Sequence, residues 1–75
     1  MEARYEVGQR VAVICEGEQW VEGCIVAKGA FRQFVFGLWD DYCMTEEEWR
    51  SPACLLRDEH GEECLVALEG DLRKL

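Results

Sequence analysis

Apolar residues in this chain come in short runs, each cut off by a glycine, an acidic pair or the single proline, Pro52. Arg10–Cys15 (RVAVIC) is a β-branched run entered through Val7-Gly8, and reads as a first strand. Glu16–Gln19 (EGEQ) supplies a turn, with a glycine able to take positive φ. Trp20–Lys28 (WVEGCIVAK) returns as a second strand, whose mid-strand Gly23 marks a bulge or a sharp bend. Lys28-Gly29-Ala30 then turns the chain into a predicted third strand, Phe31–Trp39. Period-two alternation there puts Phe34, Phe36 and Leu38 on one face and Val35, Gly37 and Trp39 on the other.

Asp40-Asp41 ends that run, and Thr45 followed by Glu48 makes a capping box. Glu46 and Glu47 fall in the first turn, where the helix dipole favours negative charge. Pro52 disfavours a helical Ser51, so the helix is only a turn or two long. Ala53–Arg57 (ACLLR) predicts strand four, Asp58–Gly61 (DEHG) a hairpin turn, and Glu62–Leu68 (EECLVAL) an alternating strand five. The last residues, GDLRKL, predict a helical turn that docks Leu72 and Leu75. The sum is a mainly β domain: a five-stranded, strongly bent antiparallel barrel of SH3-like type, with one short helix between strands three and four. An OB-fold is the nearest rival, but generally needs longer strands.

Seventy-five residues make one domain near the low end for independent folding, so self-association would help its core. Sixteen acids against eight bases give a net charge of −8. A field of that sign repels phosphate backbones, which argues against direct DNA or RNA binding and for basic partners; simple solubility is the bland alternative. Cys15, Cys24, Cys43, Cys54 and Cys64 are odd in number and widely spaced, with one histidine, His60. That spacing predicts reduced thiols in the cytoplasm and no metal or cofactor; a Cys15–Cys24 disulfide across the first hairpin is the less favoured alternative. No apolar run is long enough for a membrane span, and no phosphate loop or catalytic set appears, so no enzymatic activity is expected.

The stretches VGQRVAV and EGEQWVEGCIVA resemble the opening hairpin of the Tudor-like and related SH3-like small barrels. There a Val-Gly leads into strand one, and a tryptophan opens strand two after an acidic turn. FVFGLWDDY is similar to the Tudor strand that ends in an Asp-Tyr pair, and EGDLRKL to the closing turn. The resemblance implies a peptide-binding module in which rings surround a methylated Lys or Arg. The matching positions are Trp20, Phe36, Trp39 and Tyr42, with Asp40 or Asp41 supplying charge. Cys43 stands where that family usually has glycine, and the Thr45 helix intrudes before strand four.

Ring faces attract cations, by about 0.5–2 kcal/mol per contact depending on desolvation, and a carboxylate adds to this. The competing account is that these residues only pack a turn and a barrel rim, with Trp49 as a lid on an open end. Two further functional classes fit the composition. One is an acidic inhibitor, a nucleic-acid mimic covering a basic groove. The other is a self-associating small protein of a mobile genetic element, with its rings at a subunit interface.

Overall fold

The computed structural model describes residues 5–15, 17–58, 61 and 64–75, with the backbone alone at Cys15 and Trp20. The chain is mainly β. The strands β1 (Arg10–Cys15), β2 (Glu18–Ala30), β3 (Pro52–Asp58), β4 (Cys64–Leu68) and β5 (Leu72–Lys74) form one antiparallel sheet in the order β4-β3-β2-β1-β5. The ladder is open, with β4 and β5 as its edges. The remaining regular structure among the described residues is one short helix, α1 (Glu46–Trp49), and 3-10 turns at Phe31–Gln33, Trp39–Tyr42 and Glu69–Asp71.

Although open, the sheet wraps one core. Val11 and Val13 of β1, Ile25 of β2, Cys54 and Leu56 of β3, Ala67 of β4 and Leu72 of β5 bury together with Tyr5. Edge strands can reach the same cluster only if the sheet coils, and β2 supplies the coil. Its pairing with β1 jumps from Val13–Val21 to Ile14–Gln19, leaving Trp20 without an opposite residue. Its pairing with β3 jumps from Ile25–Leu56 to Ala27–Leu55, leaving out Val26. Each extra residue is a bulge that raises the local twist. Gly23 is not itself a bulge: it pairs regularly with Val11 and Asp58. A Cβ there would lie 2.4 Å from the Arg57 carbonyl oxygen, so glycine is needed for close strand approach.

The Tyr5 hydroxyl donates to the buried carbonyl of Leu72 at 2.8 Å, tying the start of the described chain to β5. The Lys28 ammonium donates to the Tyr5 carbonyl from the other side. Burial pushes the Cys54 thiol up; Glu69 adds to the effect and Lys28 opposes it.

Three expectations need correction. First, there is no strand at Phe31–Trp39. The turn expected at Lys28–Ala30 is instead the end of a 13-residue β2, paired with Cys54, Ala53 and Pro52. Pro52 has no N–H to extend the ladder, and the Gln33 side chain takes the Ala30 N–H at 2.6 Å, turning the chain at Phe31. Farther on, Gly37 at φ 104° cannot belong to a strand. Second, α1 consequently lies between β2 and β3. Third, the closing segment is a 3-10 turn followed by β5, which pairs with Val11–Val13. Val11–Val13 offers a free edge there, and a strand satisfies more backbone groups than an isolated helical turn.

Cys24, Cys43, Cys54 and Cys64 carry free thiols. Cys24 pairs with Arg10, five positions along β1 from Cys15, or roughly 16 Å at strand rise, which rules out a bridge across the hairpin. The Gly61 N–H donates to the Asp58 carbonyl at 3.0 Å, as the expected turn requires. His60, and Glu62 and Glu63 of the expected last strand, lie outside the described residues.

Candidate binding surface on the excursion between β2 and β3

Residues 31–51 leave the sheet and fold into a small unit of their own. The Phe31 N–H donates to the Ser51 carbonyl at 3.0 Å, closing the neck of the excursion beside the last β2–β3 pair. Inside it, three rings meet. Tyr42 stacks on Trp49 with centroids 5.6 Å apart, and Phe31 meets Tyr42 at 6.2 Å edge-on and Trp49 at 5.9 Å. Trp49 is 8% exposed, buried among these rings.

Trp49 is held by the predicted capping box. Thr45 Oγ1 accepts from the Glu48 amide at 3.1 Å, and the Glu48 carboxylate accepts from the Thr45 amide at 3.0 Å. Ser51 Oγ donates to the Glu47 carbonyl at 2.7 Å, satisfying the C-terminal end of α1 just before Pro52.

The stretch from Phe36 to Tyr42 stands on that base. Gly37 turns the chain, Asp41 Oδ2 accepts from the Leu38 amide at 2.8 Å, and the Tyr42 hydroxyl donates to the Phe36 carbonyl. Cys43 ends the 3-10 turn at φ 55°, ψ 39°, a left-handed conformation that suits glycine.

The sequence-predicted site residues are placed as follows. Phe36, Trp39, Asp40, Asp41 and Tyr42 all lie on this excursion and are exposed. Phe36 is 95% exposed, Trp39 39% and Tyr42 41%. Trp39 and Tyr42 begin and end one 3-10 turn, with Asp40 and Asp41 between them in sequence; the Tyr42 ring packs on Phe31 and Trp49. Neither Trp39 nor Phe36 makes a ring contact among the described residues. Trp20 has its backbone at the β2 bulge, on a separate element, and its side chain lies outside what is described.

The two aspartates have different work. Asp41 is engaged in the turn, whereas the Asp40 carboxylate has no bond among the described residues. On α1, Glu48 serves the cap and Glu46 pairs with Arg50 at 3.2 Å, an exposed pair of little energetic weight. The Glu47 carboxylate is left to solvent. Sequence reasoning missed Phe31 as the third ring and Leu38 as part of the exposed apolar surface, where it is 62% exposed.

A concavity of about 560 Å³ opens at the far end of the β2–β3 ladder beside Arg10, Cys24, Val26, Arg57 and Asp58. Arg10 is paired there with Glu22 at 3.4 Å, Arg57 lies in the same lining, and Asp58 Oδ1 is buried without a hydrogen-bond partner among the described residues. Among the described residues, no cluster of three potential metal ligands occurs and no helix is long and apolar enough to cross a membrane.

The chain matches no protein-family model, no curated protein and no solved structure.

Proposed function

We propose that this chain is a small, non-catalytic binding module that takes a basic segment of a protein partner on the surface of Trp39, Asp40 and Tyr42, with Phe36 beside them. The observation that supports this reading is the exposed 3-10 turn Trp39–Tyr42, in which two half-open rings and the Asp40 carboxylate, with no bond among the described residues, fall within four positions. A protonated or methylated amine there would gain from both ring faces and from Asp40. The strand order, with both edges feeding one core around a twice-bulged β2, supports an SH3-like, Tudor-like fold behind the site. Free thiols at four cysteines fit a reducing, cytoplasmic setting.

The experiment is a titration of Lys- and Arg-containing peptides, unmodified and methylated, against the wild-type chain, Trp39→Ala and Asp40→Asn. Loss of most affinity in Trp39→Ala supports the site. Unchanged binding in both variants sinks it.

The net charge of −8 favours one other reading, the acidic cover of a basic groove. In that case affinity falls steeply with salt and ignores Trp39. Self-association through the same rings is tested by light scattering: a concentration-independent monomer excludes it.

A further inference from the structure

Recognition of a lone cation leaves much of this surface unused. Phe36 and Leu38 are the most exposed apolar side chains of the excursion, at 95% and 62%. Leu38 has no π face to offer a cation, and Phe36 has no ring partner among the described residues. The backbone beneath both is nevertheless held. The Phe36 carbonyl is held by the Tyr42 hydroxyl and the Leu38 amide by Asp41, while Tyr42 is itself pinned against Trp49 and Phe31. Apolar side chains on an anchored backbone can be covered without a large ordering cost, which is how binding hot spots are presented.

The charge around them has one dominant sign. Residues 31–50 contain five acids, Asp40, Asp41, Glu46, Glu47 and Glu48, against Arg32 and Arg50, a net of −3. Among these, Asp40 and Glu47 have carboxylates with no bond among the described residues.

Resting on the binding reading above, we infer that the ligand is an amphipathic basic segment rather than a purely hydrophilic one. Its apolar side chains cover Phe36, Leu38 and Trp39, and its Lys or Arg side chains face Asp40 and Glu47. A bare polycation satisfies the carboxylates but leaves the apolar side chains wet. A neutral apolar peptide covers them but leaves the acids unanswered.

Two synthetic peptides of equal length and equal positive charge test this, one alternating Lys with Leu at helical spacing, the other Lys with Gly and Ser. Binding to the full chain is followed by calorimetry, in low and in moderate salt. The expected result is tighter binding of the Lys/Leu peptide by about tenfold or more, the order given by burying one large apolar side chain. Phe36→Ser should remove most of that difference while leaving the Lys/Gly/Ser titration unchanged. Because Phe36 is almost fully exposed, this variant is expected to keep its fold, and circular dichroism checks that. Equal affinity for the two peptides, with Phe36→Ser silent, overturns the amphipathic ligand and leaves the binding module standing. If neither these peptides nor the methylated ones bind, the module reading fails, and this inference with it.

Discussion

The Tyr42 ring lies stacked on Trp49, with centroids 5.6 Å apart and planes 25° from parallel. The stack joins the exposed turn to Trp49, the buried residue of α1, so it couples the proposed binding surface to the packed part of the excursion. Trp49→Ala should cost about 3–5 kcal/mol, the usual figure for removing a buried tryptophan. Urea unfolding measures it. A loss below about 1 kcal/mol would mean that the excursion is energetically separate from the sheet. Tyr42→Phe keeps the ring and removes only an exposed hydrogen bond, so its cost should stay near 0.5–1.5 kcal/mol.

Thr45→Ala removes the hydroxyl that accepts from Glu48. A lost cap of this kind costs about 0.5–2 kcal/mol. The urea midpoint should fall accordingly, and an unmoved midpoint would show that the capping box contributes nothing.

Gly23→Ala places a methyl group 2.4 Å from the Arg57 carbonyl oxygen, a backbone atom that cannot swing aside. Overpacking of this kind costs about 1–3 kcal/mol where the structure can yield, and more where it cannot. Thermal unfolding of the variant should show a clear loss. Wild-type stability would mean that β2 and β3 are farther apart than described.

At Cys43 the backbone is left-handed. Cys43→Gly relieves that cost but adds freedom to the unfolded chain, so the net change should lie between neutral and about 1 kcal/mol stabilising. Cys43→Val puts a branched side chain into the same conformation and should destabilise. Equal midpoints for Gly and Val would contradict the assigned geometry.

Cys54 supplies a pH dependence. Its thiol is raised in the folded state by burial first, then by Glu69, against the opposing pull of Lys28. In the unfolded chain a thiol ionises at roughly pH 8.5. Above that pH the unfolded state gives up a proton that the folded state retains, so stability present below about 8.5 is lost as pH rises toward the folded value. Denaturation midpoints should therefore decline on the alkaline side. In Cys54→Ala, less stable overall, that decline should be shallower; an identical slope would exclude Cys54 as its source.

These outcomes bear on what the sequence could reveal. The cap at Thr45 was legible because both of its bonds span three residues and need no tertiary partner. Strands β1 and β3 were legible because their runs are short, β-branched or aliphatic, and bounded by turns. Phe31–Trp39 misled because alternating apolar residues look the same whether they line a strand or populate a folded excursion. Two distant facts decide the matter: Pro52 closes the ladder opposite Ala30, and Trp49 stands ready to receive Phe31 and Tyr42. Of the candidate surface, Phe36 to Tyr42 share one excursion as neighbours in sequence, whereas Trp20 belongs to β2. The sequence was silent on how Asp40 and Asp41 divide their duties, since that depends on which carboxylate reaches the Leu38 amide.

The unopposed residues of β2 have a consequence for how this chain tolerates changes in length. Because Val26 has no counterpart on β3, deleting it leaves Ile25 and Ala27 facing Leu56 and Leu55 as before, and inside remains inside. The same holds for Trp20 between Gln19 and Val21. Deleting Cys24, two positions before Val26, instead moves Ile25 opposite Arg57 and brings Val26 opposite Leu56, so a core position changes hands before the register recovers at Ala27. Single-residue losses are therefore accommodated most easily at the two unopposed residues and disturb the core between them.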